Sequence, residues 1–247
     1  MTGQRIAATT AILASLAFSA PAQAALVVFS GADPSANFIA EGSDSAVAAA
    51  AFDAAAGVTT LIDFEAFDLG DLTNSLLIAP GVTLNTETDE LNAIVDRSFC
   101  APSLCGFNTT DGGFQFAQLF THALTFNFAT PITTFGAYFT GVQRATNRIV
   151  FDDGTSQVLA IPDIHSGAAF VGFTDFDRAI SSITILTGDS ESNDQIGVDD
   201  VRVGTATGPG TGPVSDAVPE PATWAMMILG IGVAGLTLRL RRGAMVA

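Results

Sequence analysis

The sequence has no lysine, one tryptophan, one tyrosine, two cysteines and two histidines in 247 residues. Without lysine, nine arginines face 25 acidic residues. Four of the arginines (Arg5, Arg239, Arg241 and Arg242) lie near the two ends, so residues 25–218 carry 24 acids against five arginines, a net charge of minus nineteen. A domain this negative repels a phosphate backbone, which excludes nucleic acid as a partner. The scarcity of histidine, with no Gly-x-Ser-x-Gly sequence, removes the usual nucleophilic machinery. His122 and His165 stand in no catalytic setting. Gly208-Pro-Gly-Thr-Gly212 is no phosphate loop, because neither a lysine nor a helix follows it to hold a phosphate. The chain therefore reads as a non-enzyme. A secreted hydrolase built on paired carboxylates is the second alternative, since 24 acids offer many pairs and abundance singles out none of them.

The charges that are present mark the ends. Arg5 precedes an uncharged apolar run over 6–20, and Ala22-Gln23-Ala24 supplies a small-x-small cleavage site. These are the three parts of a secretory signal peptide, predicted to span 1–24 with cleavage after Ala24 and to engage the secretion machinery. At the other end residues 222–238 are uncharged, and Arg239-Leu-Arg241-Arg242 follows directly. At 1.5 Å per residue such a helix is about 25 Å long, workable as a transmembrane span with Trp224 at one interface. The arginines favour a cytoplasmic end, which puts 25–221 outside the inner membrane.

Export frames the cysteines. Cys100 and Cys105 are separated by four residues, with Pro102 among them and Gly106 just after. No further soft ligands lie nearby for a metal, and a redox pair would normally be spaced by two residues, so a structural disulfide is expected.

The run Val218-Pro219-Glu220-Pro221-Ala222-Thr223-Trp224-Ala225, followed by the apolar stretch and the arginine cluster, resembles the PEP-CTERM protein-sorting signal in its Pro-Glu-Pro-x-x-Trp-Ala form. The resemblance covers residues 218–247. It implies recognition by an exosortase, cleavage near Pro219 to Pro221, transient anchoring in the inner membrane, and a destination at the cell surface or in the exopolysaccharide matrix. A sorting tail is an address, so it leaves the role of the exported domain open.

That domain spans 25–204, enough for one sizeable core, and 205–217 (Thr, Gly and Pro in alternation) reads as a flexible linker. Residues 45–57 predict a short helix, with Asp44 or Ser45 at its start, alanines within and Gly57 at its stop. From Val58 the period changes to short alternating runs rich in Thr, Val, Ile and Phe, broken by turn residues. Strands are predicted at 59–64, 81–84, 123–128, 134–140, 147–151, 156–161, 168–173, 180–186 and 196–203, with a hairpin turn at Asp153-Gly154. One early helix followed by this many strands predicts an all-β fold, an antiparallel β-sandwich of jelly-roll type.

Acidic clusters are the remaining signal. The window from Asp189 to Asp200 mimics an EF-hand loop, but Asp194 occupies the position that needs glycine, and the context is a strand. Two distant segments, Ile62-Asp63-Phe64-Glu65 and Gly197-Val198-Asp199-Asp200-Val201, resemble the first and last strands of jelly-roll carbohydrate-binding modules. The resemblance implies a structural Ca²⁺ shared by Asp63, Glu65, Asp199 and Asp200, since Ca²⁺ takes six to eight oxygens. The alternative leaves all four as solvated strand ends. The leading function is a non-enzymatic structural or adhesive protein of the surface or extracellular matrix. A calcium-dependent glycan-binding module is its first alternative, although Tyr138 is the lone Tyr and every other aromatic of the exported domain is Phe.

Overall fold

Alternation along the later strands follows the expected pattern. In Ala123–Ile132, Leu124, Phe126 and Phe128 are buried while Thr125 and Asn127 are half-exposed, and Ile180–Leu186 repeats this with Ile183 and Ile185. On the outer face the hydroxyls of Thr125 and Thr184 meet at 2.9 Å across the pair. The computed structural model describes residues 26–72, 75–86, 92–96, 106–120, 123–152, 158–174, 178–188 and 194–205. The chain divides after Ala206 into two units, and the described residues all belong to the first. Ala22 and Ala24, Cys100 and Cys105, His122, the turn at Asp153-Gly154, nearly all of the linker and the tail with its 222–238 span lie outside the described residues.

In chain order the elements are β1 (Val27–Asp33), α1 (Asp44–Ala56), β2 (Thr60–Ile62), β3 (Gly70–Asp71), β4 (Leu76–Ala79), β5 (Val82–Thr86), β6 (Ala93–Asp96), β7 (Gln115–Leu119), β8 (Ala123–Ile132), β9 (Thr134–Val142), β10 (Arg148–Phe151), β11 (Val158–Ala160), β12 (Gly167–Thr174), β13 (Ile180–Leu186) and β14 (Ile196–Gly204). One sheet runs β1-β12-β9-β14-β7-β6-β3, with β2 also on β14, and the other runs β11-β10-β13-β8-β5-β4. From β8 onward the chain passes back and forth between them, with β10 and β11 a consecutive pair in the second sheet, and the strand pairs are antiparallel. This is the expected antiparallel, jelly-roll-like sandwich with one short helix. Its main core gathers Leu124, Phe126, Phe135, Phe139, Phe173 and Ile185 between the sheets.

β9, β12 and β14 are buried along nearly their whole length, because α1 covers β12 and part of β9 on the outer face of the first sheet while residues 106–109 cover Thr140 of β9 and Gly197 and Asp199 of β14. Ser43 caps the helix by accepting from Ala46 N, and Asp33 accepts from the amides of Asp44 and Ser45 at 2.9 and 3.1 Å. Burial works against the Asp33 charge, yet the hydrogen bonds from Ser45, Ser43 and Asp44 hold its carboxyl below the ordinary range. Phe52 sits at the centre of the helix contact, fully buried against Phe29 and Phe170 at ring separations of 5.8 and 5.5 Å. Its ring fits because Gly172 stands beneath it: a Cβ there would lie 2.8 Å from Phe52 Cδ2. Arg202 of β14 pairs with Asp53 at 2.9 Å and lies 5.6 Å from the ring centres of both Tyr138 and Phe170, which ties the helix to the middle of the sheet.

Candidate functional site

β14 changes partners midway. Ile196 to Val198 pair with β7, Val201 to Val203 pair with β2, and β9 follows on the other side with a bulge between Asp199 and Arg202. Asp199 and Asp200 occupy the gap between the two partners, and Asp200 takes a φ of 45°, sparsely populated for a residue with a Cβ. The pairing of Val201 with Ile62 brings the early acidic segment beside the late one, as the sequence implied.

What meets these acids is a loop. Asp199 Oδ2 accepts from Thr109 N at 2.6 Å, Thr109 Oγ1 at 3.0 Å and Asn108 Nδ2 at 3.3 Å. Asp200 accepts from the hydroxyls of Thr109 at 3.2 Å and Thr110 at 2.8 Å. Glu65 Oε1 accepts from Asn108 Nδ2 at 2.8 Å, Phe114 N at 2.7 Å and Gln115 N at 2.9 Å. A Cβ on Gly113 would come within 2.3 Å of that oxygen and displace the Glu65 carboxylate. Asp63 stands apart, its carboxyl accepting from Glu65 N at 3.2 Å to close its own turn. Three of the four predicted acids thus converge on 108–115, held by N–H and O–H donors. Among the described residues no group of three or more His, Cys, Asp or Glu side chains is arranged to hold a metal ion.

Asp199 is fully buried, and its Oδ1 has no hydrogen-bond partner among the described residues. Burial, reinforced by the neighbouring Asp200 charge, pushes its carboxyl up to about 8 despite the bonds from Thr109. A cation or a proton on this carboxyl would relieve the same penalty.

The far side of the loop forms one wall of a groove of about 620 Å³; the other wall comes from residues 37–41. Phe38 and Phe114 line it and are 65% and 49% exposed, unlike the buried Phe of the core. Reasoning from the sequence gave no role to 106–114, although Asn108-Thr-Thr-Asp-Gly-Gly113 is a strong turn signal that marks a loop worth examining. His165 sits on an exposed turn, its ring 3.8 Å from Asp163.

The fold and site define an antiparallel sandwich with a carboxylate-pinned loop bordering a groove. The chain carries a PEP-CTERM protein-sorting motif at residues 217–242, which marks it as an exported protein processed at the membrane by an exosortase. Among solved structures, a family 29 carbohydrate-binding module is similar at 12% identity and a TM-score of 0.30, covering 60% of this chain and 90% of that one. A mutant of such a module complexed with mannohexaose is similar at 13% identity and a TM-score of 0.30, covering 60% and 93%. No curated protein matches the chain.

Proposed function

We propose that this protein is a non-enzymatic structural or adhesive component of the cell surface or exopolysaccharide matrix, delivered by its sorting tail. The observation that carries the reading is the PEP-CTERM motif at 217–242 behind a Gly/Pro/Thr linker. The mature species is expected to begin at Ala25 and to lack everything beyond the Pro219-Glu-Pro221 region. Intact-mass measurement of the exported protein, with fractionation of cells and matrix, tests this. Retention of Trp224 and the residues after it in a strain with an active exosortase would end the sorting reading, and recovery in the cytoplasm would end both halves.

A second reading, calcium-dependent glycan binding, is supported by the unpartnered Asp199 Oδ1 lying beside Asp200. Asp199 and Asp200 would supply carboxylates, and Thr109 and Thr110 hydroxyl oxygens, with Glu65 at the loop's other end and Asp63 apart from it. The N–H donors on Glu65 Oε1 and Asp199 Oδ2 compete with a cation, so the reading leans on that one open oxygen. Calcium is expected to raise the unfolding temperature, by a stabilisation of about 2.7 kcal/mol at a hundredfold excess over Kd. Asp200→Asn should remove the response. Unfolding curves that coincide in calcium and in chelator at matched ionic strength would return these acids to a purely structural role.

A further inference from the structure

We propose that the groove between residues 37–41 and 107–114 binds an uncharged saccharide chain, with Phe38 and Phe114 as its stacking platforms. The inference rests on the glycan-binding reading and names the site, the contact residues and the charge class of the sugar.

The two rings carry the first part of the case. Large apolar side chains exposed to this degree beside one concave surface call for an occupant, and the C–H faces of a pyranose stack on aromatic rings. Every fully buried Phe belongs to one of the buried apolar clusters, whether the main core, the helix contact or the small group of Phe116 with Ala93 and Val95, so these two are set apart by position. The polar lining carries the second part. Asn37, Glu41 and Asp111 line the groove with no side-chain partner among the described residues, leaving an amide and two carboxylates to meet sugar hydroxyls.

Charge decides which sugar. Among the described residues Glu41 and Asp111 are the charged members of the lining, and no arginine joins them. Carboxylates accept from hydroxyl groups and repel uronate, sulfate or phosphate, so neutral chains are favoured over acidic ones. A second copy of this acidic chain would face the same repulsion. The floor is held in advance: Thr109 and Thr110 are fixed to Asp199 and Asp200, and the backbone at Phe114 to Glu65. A ligand therefore meets a loop already ordered by bonds beneath it, which lowers the ordering cost of binding.

The test titrates the exported, processed protein with hexasaccharides of glucose, mannose and galactose, and with a hexauronate at matched ionic strength. At least one neutral hexasaccharide is expected to bind, with affinity falling tenfold or more in Phe38→Ala and in Phe114→Ala while the unfolding temperature of each variant stays close to the parent's. Both rings are exposed, so folding should survive their loss. Binding left unchanged in both variants would overturn the groove assignment and keep the glycan reading. Absence of binding to every saccharide would overturn both. Preference for the hexauronate, or self-association in the ultracentrifuge that the same variants abolish, would overturn the neutral-sugar assignment.

Discussion

Stability of the calcium-free protein is expected to fall as the pH rises from about 4 to about 8, with Asp199 as the source. In the unfolded chain this carboxyl ionises at its ordinary value of 3.8, and in the folded one at about 8. Between the two the native state keeps a proton that the unfolded state has released, so each pH unit removes up to about 1.4 kcal/mol until both states are ionised. Below the lower value the contribution is flat, and above the upper one no more is lost. Asp199→Asn should flatten the profile and exceed the parent's stability at pH 9, because an amide oxygen still accepts from Thr109 while its NH₂ carries no charge. Asp199→Ala should instead be destabilised by about 1–3 kcal/mol at low pH, from the unpaired Thr109 amide and hydroxyl. Chemical unfolding across pH 4–9 measures all three. A parent profile as flat as that of the Asn variant would exclude a proton on Asp199. The outcome also bears on calcium, since a cation bound at Asp199 would oppose the loss.

The second large effect concerns the helix. Phe52→Ala is expected to cost about 3–5 kcal/mol, the usual range for emptying a fully buried Phe site. For a domain of this size that lowers the unfolding temperature by roughly 6–20 °C. Gly172→Ala should cost about 1–3 kcal/mol by the opposite route, pressing a methyl into the ring 2.8 Å away. The double variant is expected to be less destabilised than the two costs added, because the cavity left by Phe52 accepts the new methyl. Strict additivity in thermal unfolding would mean that Phe52 does not sit over Gly172. The loop offers a contrast: Phe38→Ala should leave stability nearly unchanged, since that ring contributes to no core.

Much of the second sheet was legible because its strands have one wet face. Thr125, Asn127, Ser182 and Thr184 alternate with buried neighbours, and a period of two survives in the sequence wherever one face meets water. The helix was legible for local reasons as well, in its alanines and stop glycine, though Ser43 rather than Asp44 or Ser45 supplies the cap. β1, β3, β4, β6 and β7 were not foreseen. β1 carries Ser30 and Gly31 inside a seven-residue strand, and a Cβ on Gly31 would strike the carbonyl of Asp44, so that glycine answers to the helix above it. β7 includes a buried Gln118 that looks like a break in a core strand, yet its amide bonds Leu119, Ile196 and Gly106.

The candidate site divides the same way. The sequence by itself determined the sorting motif and the acidic character, which rest on composition or on residues close together in the chain, while the pairing of an early acidic segment with a late one was implied only by the resemblance to carbohydrate-binding modules. Only the tertiary structure decided what the acids do. Asp199 and Thr109 are ninety positions apart, and Glu65 and Gln115 fifty, so nothing in local propensity or periodicity joins them. They meet because β14 exchanges β7 for β2 at Asp199 and Asp200, leaving a gap in the ladder that the 106–114 loop fills with its donors. Exposure of Phe38 and Phe114 was decided there too, since a Phe codes equally for a core or a platform until the fold determines which side of a wall it stands on.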